Sequence, residues 1–330
     1  MNQLFRWDQT GLFLLALAAG ILPFAVPEVC AAALREGLTL CSGPLLLSLF
    51  PFLVVSRLLI QCPESDLLAL PFRLAAWGIG IRTPCAARVL CIGFLGGFAP
   101  AASAAAQAVR TGQLTAEEAD ALLPACICSG PSFVVLTVGQ SLLGSAELGV
   151  LLFASQITAN YLTAALLNRF AGMHSVKPGS AAPASPAPPR LDEILADAAI
   201  TYCNLCGFIL FFRMLAAGAG ALLPAGAGTL CSILLEVCSG CDLASRTGRW
   251  GSLLCCAALS VQGLSVLLQV RTICPPEMTL RPLYRARMLH LPLSLALFYL
   301  LLPGGEADVF STLPARVLFC LLYTSDAADE

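Results

Sequence analysis

Apolar residues run along this chain in stretches of about twenty. At about 1.5 Å per residue, such a stretch crosses roughly 30 Å of hydrocarbon as helix. Glycine, proline or a lone polar side chain interrupts several of them. Residues 10–27 are the first, ended by Pro23 and Pro27. No clean small-residue cleavage site follows, so an uncleaved helix is predicted rather than a signal peptide. Residues 28–36 read as a short amphipathic helix, with Gly37 as its stop. Residues 38–61 are the next span, interrupted by Pro44 and Pro51. Residues 64–88 mix apolar groups with Arg73, Arg82 and Arg88, the pattern of an interfacial or re-entrant segment.

The rest of the chain is organised around residues 90–133. Two apolar runs are broken there, first at Gly96-Gly97-Phe98-Ala99-Pro100 and then at Ser129-Gly130-Pro131. A short polar helix lies between them, opened by the capping box Thr115-Ala116-Glu117-Glu118. Glycine and proline in a membrane segment leave backbone N–H and C=O groups unpaired. Hydrocarbon tolerates this only where the backbone is buried in protein or lines a polar cavity. Residues 89–109 are long enough to cross once, with Gly97 and Pro100 near the middle, and a helix entering at Leu122 puts Pro131 at similar depth. A re-entrant hairpin that never crosses fits the same pattern, and both readings stand at this point.

Residues 147–170 form an uninterrupted span containing Gln156 and Asn160. Residues 175–190 are a Pro/Ala/Ser run without apolar periodicity and read as a flexible linker. Beyond it, residues 191–217 begin amphipathic and become a span with Asn204 and Arg213. Residues 220–240 are interrupted at Pro224 and carry Glu236; residues 250–270 hold Gln262 and Gln269; residues 283–302 hold His290. Residues 310–323 make a last, short apolar helix. The closing string LLYTSDAADE looks like a translated sequencing-adaptor read, so the native C-terminus is expected to differ and the tail is given no function.

The predicted organisation is an N-terminal helix and lead-in (1–37), a first membrane half (38–170), the linker (171–190), a second membrane half (191–303) and a C-terminal segment (304–330). Each half opens on an amphipathic lead-in. Each then shows a break, a charged turn containing Arg-Thr-Gly (110–112 and 246–248) and another apolar segment. Two repeats packed around one midplane site is a common transporter plan.

Composition places this pattern in a membrane. Of 330 residues, 58% are hydrophobic and 12% charged, with a mean hydropathy of +0.84. A soluble domain carries about a quarter charged residues. The expected class is therefore an all-α, polytopic helical membrane protein of roughly eight to ten segments, with lipid as its surroundings. A net charge of -2 argues against nucleic acid as a partner. All but Lys177 of the 18 basic residues are arginine. Arg57, Arg73, Arg82 and Arg88 form one cluster and Arg281, Arg285 and Arg287 another, both candidates for the cytoplasmic side; Arg169, Lys177 and Arg190 compete, so orientation stays open. The 16 cysteines are scattered through apolar segments and act as small hydrophobes rather than a disulfide scaffold.

Ser129, Gly130, Pro131 and Ser132 can present helix-end N–H groups and hydroxyls to a polar or anionic solute; a plain proline kink is the alternative. Glu236 is an acid in an apolar run, either a functional intramembrane carboxylate or a residue at the membrane surface ahead of Asp242 and Arg246. Asn160, Gln156, Asn204, Gln262 and Gln269 are amides that bond between helices or line a pathway. Gln262, Ser265 and Gln269 would share a helix face. His290 reads as a packing residue. Cys203-x-x-Cys206 and Cys238-x-x-Cys241 have metal or redox spacing, which by itself is weak. No Walker A, His-Glu-x-x-His or Gly-x-Ser-x-Gly motif is present, so neither an enzyme nor a cofactor or metal is expected. The expected function is transport of a small polar or anionic solute bound between the halves. Gly97, Pro100, Gly130 and Pro131 would shape its site, and Ser129, Ser132, Asn160, Glu236 and Gln262 would contact it. The alternative is a membrane organiser that works through partners and leaves the breaks filled.

Several motifs carry a family resemblance. These are Ser48-Leu49-Phe50-Pro51-Phe52, the broken segment from Gly97 to the Ser-Gly-Pro-Ser-Phe ending at Phe133, Leu234-Leu235-Glu236 with Gly240, the run 263–270, and Ala286-Arg287 with His290. In this order, over about residues 28–302, they resemble YlbJ-type sporulation integral membrane proteins, within the nucleoside-recognition (Gate) domain membrane proteins. The chain departs from that pattern where Gly97-Phe98-Ala99-Pro100 stands for a usual Gly-Tyr-Pro, and in lacking extra glycines before Gln140. The resemblance implies a multi-pass protein in the cell membrane of a spore-forming bacterium, acting in sporulation, with other sporulation membrane proteins as partners. The spore-envelope role of the organiser reading also rests on it.

Overall fold

Two tips of broken backbone meet near the middle of a helical bundle, and the rest of the chain is arranged to hold them there. The computed structural model describes residues 9–171 and 190–302. The linker, the 310–323 helix and the closing string lie outside the described residues. The described chain is all-α and polytopic. Among the described residues, four stretches are long and apolar enough to cross a membrane: Pro27–Leu47, Ala146–Phe170, Leu191–Leu222 and Gly248–Ile273.

Helix α1 (Gln9–Ala25) leads into α2 (Pro27–Ser42) and α3 (Pro44–Gln61). Gly37 does not stop α2, as the sequence pattern suggests it would. It lies inside the helix because a long helix from the second half crosses there: a Cβ on Gly37 would meet Leu210 Cδ2 at 2.8 Å. Pro51 likewise sits inside α3 without ending it. A 3₁₀ turn (Pro63–Asp66) and α4 (Leu70–Gly78) follow, and then α5 (Pro84–Gly96) and α6 (Phe98–Arg110).

Residues 89–109 do not cross. Helices α5 and α6 are antiparallel legs of a re-entrant hairpin with its tip at Gly97, and Arg88 near the start of α5 donates to Gln113 just after α6 (2.9 Å). The alanines of α6 at 99, 101, 102, 104, 105, 106 and 108 are all fully buried. Small side chains let the leg pack on every side, the usual device of helix packing in membranes.

Helix α7 (Ala116–Cys126) starts from the capping box, with Glu118 N–H donating to Thr115 Oγ1 (3.1 Å) and Thr115 N–H to Glu118 Oε2 (3.0 Å). It breaks over residues 127–131 and continues as a π-helix, Ser132–Leu142. Helix α8 (Ala146–Phe170) runs back along both halves: Asn168 donates to the Ala121 carbonyl (3.2 Å), Asn160 to that of Ile127 (3.2 Å), and Gly149 packs against Gly139. This second broken segment therefore crosses.

The second half repeats the order, from the opposite end. Helix α9 (Leu191–Leu222) is followed by α10 (Ala225–Leu235) and α11 (Val237–Ser245). These are not one span interrupted at Pro224. They form a second hairpin with its tip at Glu236, its legs close enough that a Cβ on Gly240 would meet Ile233 Cα at 2.8 Å. Helices α12 (Gly251–Val261) and α13 (Gly263–Ile273) form a second broken crossing helix, and α14 (Arg281–Leu301) returns along α12. Gln262 ends α12 in a left-handed conformation (φ 63), so Gln262, Ser265 and Gln269 do not share one helix face; only Ser265 and Gln269 do.

The first hairpin opens toward the end of the bundle where Thr83 bonds Glu118 and Asp120 Oδ2 accepts from Thr279 N–H (2.8 Å). The second opens toward the end holding Asp242. Packing partners exchange accordingly: α6 lies against α13 and α11 against the π-helix, while α8 packs on α14 and α3 on α9.

Candidate functional site

Each hairpin tip touches the break of the neighbouring crossing helix. A Cβ on Gly97 (φ +80) would lie 2.6 Å from the Gly130 backbone N, and one on Gly263 (φ +70) would lie 2.9 Å from that of Glu236. Two side-chain-free contacts thus bring all four breaks to the middle of the bundle. There they enclose a cavity of about 50 Å³, whose wall includes Gly96, Ser129, Gly130, Ser132, Glu236 and Gln269. A space of that size holds about four water-sized spheres.

Three half-helices, α6, the π-helix and α11, begin at this cavity. Each helix N-terminus carries roughly half a positive charge. Glu236 is 1% exposed and sits at the hairpin tip, apart from the bundle end that holds Asp242. Its carboxylate caps α11: Oε1 accepts Cys238 N–H (2.8 Å), and Oε2 accepts Ser239 N–H (2.7 Å) and the Ser239 hydroxyl (3.0 Å). The C-terminal ends of α5 and α10 reach the same wall at Gly96 and Glu236 with about -0.5 each, so helix dipoles of both signs meet the Glu236 carboxylate there.

The residues singled out from the sequence divide into separate groups. Ser129, Gly130, Ser132 and Glu236 line the cavity. Gly97 forms the adjoining tip; Pro100 packs behind it, its ring at 2.9 Å from where a Gly96 Cβ would stand. Pro131 is the N-cap of the π-helix. Gln262 lies at the fourth break, wholly buried, its amide without a hydrogen-bond partner among the described residues. Asn160 lies outside the cavity wall, in a polar network between α8 and α14.

That network centres on Arg287, which sequence reasoning placed in a cytoplasmic cluster. Arg287 is 7% exposed. Its guanidinium donates to the Ser260 carbonyl (3.3 Å), the Ile127 carbonyl (3.2 Å) and Asn160 Oδ1 (3.1 Å). These carbonyls belong to the C-terminal ends of α7 and α12, each carrying roughly half a negative charge. The two breaks supply the counter-charge, since among the described residues no carboxylate lies within ion-pair distance of Arg287. Nearby, Gln156 Nε2 donates to Ser260 Oγ (3.0 Å) and Ser294 Oγ (2.7 Å), and His290 Nε2 pairs with the Gln156 carbonyl (3.2 Å). The signal was available: Arg287 stands inside the apolar run that begins at Leu283, and an intramembrane cation is rare unless it has work to do.

Two wider spaces flank the central cavity. One, of about 430 Å³, lies at the Asp242 end with Arg35, Glu36 and Arg213 in its wall. The other, of about 110 Å³, lies at the opposite end with Arg57 and Arg110. Phe133 and Cys238 border both the first and the centre, and Gln269 borders both the second and the centre. Along α9 the three spaces follow in order, with Thr201 to Phe208 on one, Ile209 on the centre and Arg213 on the other.

No known protein family, no curated protein and no solved structure matches this chain.

The two Cys-x-x-Cys pairs sit on α9 and α11, and among the described residues no three His, Cys, Asp or Glu side chains come together as a metal set would require.

Proposed function

We propose that this protein is a membrane transporter for a small polar or anionic solute, bound at the meeting point of the four helix breaks. The observation that carries the reading is the cavity between the hairpin tips and the broken crossing helices, with larger spaces in line on either side. Broken helices around a midplane cavity, in two halves entering from opposite ends, are a transporter arrangement. Backbone left unpaired at membrane depth needs such a cavity or burial. An organiser acting only through its outer surface gives no reason for this interior. At about 50 Å³ the centre admits little more than a few waters, so Phe133 and Cys238 on one side and Gln269 on the other must move for a solute to pass.

Within this proposal, the resemblance of the sequence motifs to YlbJ-type sporulation proteins supports a setting in the cell membrane of a spore-forming bacterium, beside other sporulation membrane proteins. Arg57, Arg73, Arg88, Arg110, Arg281 and Arg285 gather at the end from which the first hairpin enters, which favours that end as cytoplasmic. A reporter inserted after Gly179 should then be active as green fluorescent protein and inactive as alkaline phosphatase; the reverse result would invert the assignment.

Flux in proteoliposomes tests the central claim. A panel of small carboxylates, phosphate and nucleosides is loaded, and release is compared between wild type, Glu236→Gln and Ser129→Ala. Glu236→Gln swaps one acceptor oxygen for a donor facing the α11 N–H groups and should reduce flux at least tenfold, with Ser129→Ala intermediate. Equal flux from wild type, both variants and empty vesicles would refute transport through this site.

A further inference from the structure

The cavity of about 110 Å³ at the Glu118 end is built differently from the centre. Its wall carries two guanidiniums, Arg57 and Arg110, together with Thr201, Asn204, Thr272 and Gln269. Arg57 is 8% exposed and donates to Asp197 Oδ2 (2.7 Å) and to Thr201 Oγ1 (3.4 Å); its Nε is buried without a hydrogen-bond partner among the described residues. Arg110 donates to the Ile273 carbonyl at 3.3 Å and has no carboxylate within ion-pair distance among the described residues. Asp197 therefore offsets one of two positive charges. The second guanidinium faces a pocket where the Thr201 and Thr272 hydroxyls already donate to the Asp197 and Leu268 carbonyls (2.8 and 3.0 Å), so the donors that remain for an anion are the guanidiniums and the Asn204 amide. Arginine's planar fork matches carboxylate and phosphate oxygens, and a partly enclosed site strengthens the match relative to open water.

We infer that this end cavity binds a small oxyanion, a carboxylate or a phosphate, between Arg57 and Arg110, as a site separate from the one at the helix breaks. The cavity is large enough for such a group and several times too small for a chain or a macromolecule. Gln269 is its inner wall and also the wall of the central cavity, and its Oε1 is buried without a partner while its Nε2 holds Ser265 (2.8 Å). An anion held by the arginines lies one side chain from the centre. Binding at the end cavity stands without the transport reading; its role as the entrance or exit of the path rests on that reading.

The test uses the full chain in detergent micelles, with inorganic phosphate, sulfate and acetate as probes and choline chloride at matched ionic strength as the control. Oxyanions should raise the melting midpoint saturably, and choline chloride should not. Arg110→Gln, an exposed position with little risk to folding, should weaken oxyanion binding about tenfold, and Arg110→Lys should weaken it less. Arg82→Gln, an exposed arginine outside the pocket wall, should leave it unchanged. No saturable effect in wild type, an equal effect of choline chloride, or equal losses in Arg110→Gln and Arg82→Gln would overturn the assignment. Oxyanion binding that survives alongside zero flux in wild type would refute the transport reading and leave this site standing.

Discussion

Gly97→Ala should destabilise the protein by about 3 kcal/mol or more and abolish flux, a far larger effect than its size suggests. Two costs add. Gly97 has φ +80 and ψ -163, a region that only glycine occupies without strain, at roughly 1–3 kcal/mol for another residue. Its added Cβ would also stand 2.6 Å from the Gly130 backbone N and 2.9 Å from Gly130 Cα. Both are backbone atoms at a break, so no side chain can swing away; either the hairpin tip or the crossing helix must shift. Gly144→Ala is the control. Gly144 also has positive φ (+70), yet nothing lies within 4 Å of its Cβ position, so only the conformational cost of about 1–2 kcal/mol remains. Unfolding of the two variants in mixed micelles separates strain from contact. Equal losses would show that the tip and the break are not held against each other.

Arg287→Met should cost roughly 2–4 kcal/mol, despite removing a buried charge from the bundle. Two effects oppose here. Burying a guanidinium costs several kcal/mol, which methionine recovers. Against that, the Ser260 carbonyl and Asn160 Oδ1 lose their charged donor, and two half-helix C-termini lose the cation between them. Ile127 keeps one partner, since Asn160 Nδ2 still donates to it at 3.2 Å. The second effect wins because the Ser260 carbonyl lies at broken backbone, with no neighbouring turn to supply a replacement N–H, and the buried Asn160 Oδ1 has no other donor among the described residues. Arg287→Lys should lose less, keeping the charge and giving up the fork. Chemical denaturation in micelles checks the order wild type, Lys, Met. A methionine variant as stable as wild type would mean the guanidinium returns no more than its burial costs.

Hydropathy made the helical membrane class legible, because apolar runs of spanning length need no tertiary information. The breaks at Gly97 and Ser129-Gly130-Pro131 were legible for the same reason, since glycine and proline distort the backbone whatever surrounds them. The break at Gln262 was not. A glutamine followed by a glycine inside an apolar run suits an ordinary helix with one buried amide, and only the approach of Glu236 to Gly263 requires the left-handed turn there. Glu236 was visible as an acid in an apolar run, but its depth was not: Asp242 and Arg246 made a surface position equally reasonable. Burial follows from the hairpin, which brings the acid to the tip and leaves the charged turn at the bundle end.

The sequence by itself determined the composition of each segment, and with it the all-α membrane class, the broken backbone near residues 97 and 130 and the acid at 236. Local chemistry is sufficient for those. The tertiary structure decided which broken segments turn back and which cross. It also decided that Arg287 closes two helix ends rather than facing the cytoplasm, and that Ser129 and Glu236, 107 positions apart, share one wall. A hairpin and a broken crossing helix have the same hydrophobic length and the same glycine-proline punctuation. They differ in which half-helix each leg packs against, and that depends on long-range contacts absent from any single stretch of the chain.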